Sequence, residues 1–380
     1  MIKLVRIVFL ATLLHTQTYA QIDNRLLESH IEISDSNEEK IMLSIENRNF
    51  LKNNEYFGKI ATGYTMMGTQ LSTQMAYQAG KHVRLQGGVF LLSDFGNNTL
   101  RRVSPLLSLK MQKNGYSFLF GTLEGNFSHR LIEPIYNYER YVFHPIENGL
   151  QIKIDRPKLW SDTWINWEVM QYLNSNYQEQ FSAGHSTRIK LIQTEKMNLT
   201  LPLQGLVTHR GGQIDTIGLP LETMANVAVG FTLSYKPNGW IKEINTDNYF
   251  TLYRNLSPTK ATAFSAGQGF LLNMTAVTRY DIAASVGYWQ GDQYISSRGG
   301  FLFRSVASEY GQQGYIDQTR SLLFFRLLYQ RPIQKGLSVD IRFEPYYDLG
   351  NQLFEYSYSI YLTYKKDFSL INLMKRKSGN

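Results

Sequence analysis

From Leu337 to Tyr346 the chain alternates apolar and polar residues without interruption. Leu337, Val339, Ile341, Phe343 and Pro345 fall on one face, and Ser338, Asp340, Arg342, Glu344 and Tyr346 on the other. Side chains of a strand point alternately to its two faces, so this segment separates oil from water. The pattern returns in Phe354, Tyr356, Tyr358, Ile360, Leu362 and Tyr364, opposed to Glu355, Ser357, Ser359, Tyr361, Thr363 and Lys365, after a turn at Asp348 to Asn351. Two long amphipathic strands joined by a tight turn, in a chain that opens on an export signal, point to an all-β, transmembrane antiparallel β-barrel of the outer membrane.

The signal is read at residues 1–20. Lys3 and Arg6 precede the apolar run Ile7 to Leu14, and Thr18-Tyr-Ala20 places small residues at a cleavage site before Gln21. The apolar run is too short to span about 30 Å of hydrocarbon. No Cys occurs anywhere, which excludes disulfides, thiolate metal sites, a lipid-anchored Cys and a Cys nucleophile. No later segment reads as a membrane helix, and only helices and closed barrels satisfy their backbone in lipid.

The same alternation recurs upstream. Leu85, Val89 and Leu91 oppose Arg84, Gln86 and Phe90; Val103, Leu107 and Met111 oppose Ser104, Ser108 and Lys110; Leu150, Ile152 and Ile154 oppose Gln151 and Lys153. Phe181, Ala183, Thr187 and Ile189 oppose Ser182, Ser186, Arg188 and Lys190, and Val227, Val229 and Phe231 oppose Asn226, Thr232 and Ser234. One face is apolar throughout and the other mixes charge, hydroxyl and amide, so the interior is expected to be a polar lumen rather than a sandwich core. Dividing residues 69–368 by about 21 per strand gives roughly 14 strands, with 12 to 16 compatible. The expected divisions are a signal (1–20), an acidic periplasmic segment or partial plug (21–68), the barrel (69–368) and a basic tail (369–380). Within the second of these, only Ile41 to Ile45 reads as a strand.

Short connections are expected at Ala79 to Lys81, Asn114-Gly115, Arg156 to Lys158, Thr194 to Lys196 and Gln334 to Gly336. Long ones are expected at Gly125 to Asn148, Gly211 to Glu222, Pro237 to Asn248 and Glu309 to Thr319. Aromatic belts at the two membrane interfaces are expected to draw on Trp160, Tyr235, Trp240, Tyr288, Trp289, Tyr346, Tyr347 and Tyr364.

The chain carries a formal charge of +8. Residues 21–55 hold eight acids against four bases, and residues 1–20 contribute +2, which leaves +10 on residues 56–380. An outer-membrane location makes nucleic acid no partner. The basic excess is assigned to lipopolysaccharide phosphates outside, an anionic solute inside, or both.

No G-x-S-x-G, H-E-x-x-H, P-loop or dinucleotide fingerprint is present. The densest set of chemical groups lies in Glu124 to Glu147, an inward-folding loop with two of the seven His. There His129, Arg130, Glu133, Glu139, Arg140 and His144 are candidates for a charged constriction. An alternative makes His129 a base beside Glu133 and a Ser128 nucleophile, in an enzyme acting on lipid or polysaccharide. Strand parity adds Arg84, Lys110, Lys153, Arg188, Lys190, Arg326, Asp340, Arg342 and Glu344 to the pore lining. It also places Asp162, Trp164 and Glu168 inward and Trp167 toward lipid, where an inward indole beside acids can stack on a sugar or fill the lumen. His185 and His209 are read as lumen or interface histidines. No cofactor, metal site or catalytic residue is assigned.

The segments Asn53 to Phe57, Gly63-Tyr64 with Gly68 to Leu71, Gly121 to Gly125, Ser128 to Pro134 and Trp164 to Glu168 resemble uncharacterised, porin-like outer-membrane barrel proteins of the Bacteroidota. The resemblance runs from about Asn53 to the C-terminus and implies the compartment and the fold, with no catalytic residue attached. The expectation is therefore a monomeric porin-like or partner-gated conduit for small, anionic or saccharide solutes. The alternatives are the outer-membrane enzyme above and a docking barrel of a surface complex.

Overall fold

The computed structural model describes residues 24–373, so the expected signal and the last seven residues of the basic tail lie outside the described residues. The strands are β1 Lys40–Glu55, β2 Thr65–Ala79, β3 Val83–Asp94, β4 Arg102–Lys113, β5 Tyr116–Thr122, β6 Asn148–Arg156, β7 Leu159–Val169 and β8 Gln180–Gln193. They continue with β9 Met197–Arg210, β10 Glu222–Tyr235, β11 Ile241–Asn255, β12 Ala266–Thr278, β13 Ile282–Asp292, β14 Thr319–Gln334, β15 Leu337–Asp348 and β16 Leu353–Asn372. Each pairs antiparallel with its sequence neighbours, and β1 pairs with β16 to close the barrel. Sixteen strands stand at the top of the expected range.

The period-2 patterns become inside and outside. Leu107, Phe231, Ile341 and Ile360 are exposed on the outer wall, whereas Arg84, Ser108, Gln151, Asp340 and Ser359 are buried within. Connections alternate in length. One end carries the turns after β2, β4, β6, β8, β10, β12 and β14, together with both chain ends; the other carries the eight loops. At the β4–β5 turn Asn114 (φ 50°) and Gly115 (φ 75°) both take left-handed backbone, as a tight hairpin requires. A Cβ on Gly115 would meet the Asp155 carbonyl oxygen at 2.3 Å, so only glycine fits there.

Three expectations are corrected. The barrel begins at Lys40 rather than Thr69, because residues 40–55 and 65–79 are full wall strands rather than a periplasmic segment. Residues 237–248 are not a long loop, since β11 starts at Ile241 and only residues 236–240 turn. Trp160, Trp289 and Tyr346 do not join an aromatic belt; they face inward, where Trp289 is wholly buried. Tyr235 and Trp240 do lie exposed near the turn end.

The lumen is packed. Residues 123–147, between β5 and β6, and residues 293–318, between β13 and β14, fold inward and meet: the Asn137 amide donates to the Arg298 carbonyl at 2.6 Å, and the Gly300 amide to Glu133 at 2.8 Å. Ile132, Ile135, Tyr136, Tyr294 and Phe303 from these segments form one apolar core with Trp164, Tyr249 and Trp289 of the wall. Residues 24–39 fold back into the turn-end mouth. There the Ile31 amide donates to Glu124 at 2.8 Å, and Arg84 donates to the Glu32 carbonyl at 2.9 Å.

Candidate functional site: a plugged lumen over a charged vestibule

The centre of the plug is His129. Gly184 on β8 makes room for it, because a Cβ there would stand 2.2 Å from the Trp164 ring, so Trp164 can lie flat against the wall. The His129 ring stacks on Trp164 at 3.6 Å with an 8° interplanar angle. Its Nδ1 faces Asp162 Oδ2 and its Nε2 faces Glu147 Oε2, each at 2.9 Å. Burial works against a charged imidazole, but Glu147 and Asp162 outweigh it and raise His129 to about 9. Burial likewise lifts the Glu147 carboxyl, and His129, Arg140 and a hydrogen bond from Tyr136 reverse this to about 2. His129 is thus an imidazolium that donates from both nitrogens. Gln151 completes the group by donating to Asp162 at 2.9 Å and to the Glu124 carbonyl at 3.0 Å.

This geometry separates the triad considered from sequence. The Ser128 hydroxyl accepts from the Ser29 amide and donates to the Ser29 carbonyl, Glu133 pairs with Arg326, and both His129 nitrogens face Glu147 and Asp162. His129, Ser128 and Glu133 therefore do not form a catalytic constellation. The partners Glu147, Tyr136 and Gln151 were not singled out from sequence. Gln151 was legible as an inward residue, but nothing local tied it to His129.

Other inward charges also close on one another. Arg298 pairs with Glu168 at 2.8 Å, with Arg140 3.8 Å from the same carboxylate. Arg326 reaches Glu344 at 3.4 Å as well as Glu133. Arg342 forks onto Asp340 at 2.7 and 2.8 Å. Glu139 accepts from Tyr64 and, at 2.8 Å, from Asn54. Arg188 donates to the Arg130 carbonyl at 3.4 Å. At His144, partial burial of the ring and the nearby Arg140 lower it to about 4, so it is neutral at pH 7. Lys190 is partly exposed near the turn end. His185 and His209 lie on the outer wall rather than in the lumen, bonded to Thr163 and Thr223. Trp164 fills the lumen instead of offering a free stacking face.

Below the plug, two cavities open at the turn end. One of about 670 Å³ is lined by Arg48, Gln74, Arg84, Glu124, Lys365 and Lys366 among others. The second, about 500 Å³, has Glu28, Lys110, Arg130, Lys153 and Asp155 in its wall. Glu124 stands between them, bound by Lys110 at 2.6 Å and Lys153 at 2.8 Å. Burial favours a neutral Glu124, but Lys153, His30 and Lys110 hold it well below the usual carboxylate range. Beside Glu133 and Arg326, inside the plug, the cavities shrink to about 30 and 40 Å³, roughly the share of one water molecule. Among the described residues no group of three His, Asp or Glu is placed to hold a metal ion.

Comparison with solved structures gives the same architecture. The outer-membrane protein OprD of Pseudomonas aeruginosa superposes with a TM-score of 0.52 at 11% identity, covering 89% of this chain and 98% of that one. A loop-deletion form of the outer-membrane protein OmpT of Vibrio cholerae gives 0.53 at 11% identity, covering 86% and 100%. The likeness shows the fold, a closed antiparallel β-barrel of the kind these outer-membrane proteins have. No protein with curated annotation matches it in sequence. A family model described as Lipid A 3'-O-deacylase-type matches residues 33–373, and the chain belongs to that family.

Proposed function

We propose that the protein is a partner-gated conduit for small polar solutes, anionic or saccharide, closed at rest by its two in-folded segments. The observation that carries this reading is the 670 Å³ charged vestibule ending beneath a plug held to the wall by separable charge pairs. Breaking one buried pair costs about 3–5 kcal/mol, and about 5.5 kcal/mol moves a two-state equilibrium from 1:99 to 99:1. Spontaneous opening is therefore rare, and a partner must supply the difference. Proteoliposomes carrying the intact protein should take up small sugars and phosphate esters no faster than empty ones, and a folded variant lacking residues 125–146 should admit both. A folded deletion variant that stays impermeable would overturn the proposal.

Family membership favours a second reading, in which the barrel removes an ester-linked acyl chain from lipid A in the outer leaflet. Ser128, His129 and Glu133 would not serve it as a triad, since Glu133 pairs with Arg326 and not with His129. Mass spectrometry of lipid A from expressing cells separates the readings. Loss of the mass of one O-linked acyl group supports hydrolysis, and an unchanged spectrum removes it.

A further inference from the structure

Asp247 is the one buried carboxylate among the described residues whose two oxygens both lack a hydrogen-bond partner. It points into the lumen from the middle of β11, 1% exposed, between the buried Asn245 and Tyr249 of the same face. Other buried acids close on a base or a donor, as Asp162 does on His129 and Asp340 on Arg342. Arg188 lies within electrostatic range of Asp247, yet it donates to the Arg130 carbonyl and leaves both carboxylate oxygens unbonded. Asn273 stands directly across on β12. Its amide nitrogen donates to Thr275 Oγ1 at 3.2 Å, and its Oδ1, like that of Asn245, is bonded to no protein group.

An ionised carboxylate withdrawn from water without a partner is strongly disfavoured, so Asp247 is either protonated or bound to something that meets its charge. The cavity beside it narrows the choice. Asp247 and Asn273 share the wall of the 30 Å³ cavity with Glu133, Arg326 and Phe303, where both in-folded segments meet the barrel strands. Two acids against one base leave that lining a charge of −1, and Arg326 is already divided between Glu133 and Glu344. A protonated Asp247 would bring a single O–H to a set of carboxylate and amide oxygens. A water would bring two and leave the charge unmet. A cation satisfies the oxygens and the charge together.

We infer that Asp247 and Asn273 hold a monovalent alkali cation, sodium or potassium, in the cavity between the barrel wall and the two in-folded segments. Donors that are all oxygen select a hard cation. Calcium gathers six to eight oxygens and magnesium a near-ideal octahedron, whereas one carboxylate in a lining of charge −1, with room for about one water molecule, matches a single positive charge. The sequence reading assigned no metal site, because one acid paired across two strands with one amide has no spacing to read.

Crystals of the wild-type protein grown with rubidium nitrate as the sole monovalent salt should show an anomalous peak bounded by the Asp247 carboxylate and Asn273 Oδ1. No peak there would overturn the inference. A second measurement needs no crystal. Protein refolded into detergent with equal concentrations of sodium, potassium or choline chloride is heated, and the loss of heat-modifiable mobility gives an unfolding midpoint. Sodium or potassium should raise the midpoint several degrees above the choline value, since a ligand of the folded state alone stabilises it. Folded Asp247→Asn should show one midpoint in all three salts, at or above that of the wild type in choline, because it no longer buries a lone charge. A wild type indifferent to the cation, an undiminished response in Asp247→Asn, or a midpoint that moves only with added calcium would each refute it.

Discussion

At the residue scale the plug turns on one imidazolium held by two carboxylates. The folded value of His129, about 9, lies above its ordinary 6.5, so folding gains a proton-linked stabilisation. That contribution is fully present below pH 6.5, declines as pH rises and is gone above about 9. Thermal unfolding followed by heat-modifiable mobility should therefore show stability falling between pH 6.5 and 9. His129→Gln should flatten that slope and destabilise the protein by about 3 kcal/mol, since it leaves two carboxylates without their cation. An unaltered slope in the variant would place the proton elsewhere. Gly184→Val should act on the same group through Trp164, displacing the indole that a Cβ at 184 would strike and changing the tryptophan emission. Trp164, Asp162 and Glu168 were legible as inward residues because strand parity is local. Their partners were not, because His129 reaches Glu147 and Asp162 through the fold of a loop that has no period.

At the scale of elements, two segments of irregular chain seal the barrel. The segment 293–318 is tied to β7 by Arg298 and Glu168, and the charged hydrogen bonds between them are worth about 1.5–3 kcal/mol each. Arg298→Gln should loosen that segment, with faster tryptic cleavage at Arg304 from the loop end, whereas Arg331→Gln at the turn end should leave cleavage unchanged. Equal rates in wild type and Arg298→Gln would mean that other contacts hold the segment. The strands themselves were readable wherever lipid-facing residues are apolar. The sequence reading failed at β1 and at the start of β11 for one physical reason: Asn47, Asn49 and Asn53, and Thr246 and Asn248, put polar groups on the outer face and erased the alternation. The in-folding of 293–318 had no signal either, since its anchors, backbone bonds to residues 133 and 137 and the Arg298–Glu168 pair, are met across the lumen and not along the chain.

For the whole molecule, the fold follows from period and turn length, and the closed state follows from what fills the lumen. Part of the net basic excess of residues 56–380 sits on exposed turns, as at Lys158, Lys196 and Arg331, and lumen bases such as Arg342 and Arg326 stand beside the acids Asp340, Glu133 and Glu344. Only a mild anion preference is expected once the plug is absent. In the variant lacking 125–146, replacing Arg188, Lys190 and Arg342 together by Gln should shift the reversal potential toward cations in 0.1 M KCl, where charges act over about 10 Å, and the shift should fade near 1 M. An unmoved reversal potential would take these residues off the ion path.

The most direct test is single-channel recording in planar bilayers of the intact protein beside the variant lacking residues 125–146, both shown to be folded by heat-modifiable mobility. A plug held by buried charge pairs predicts long closed records with rare openings for the intact protein, and stable ohmic steps for the variant. Steady conductance of the intact barrel equal to that of the variant, or silence from both, would contradict the account.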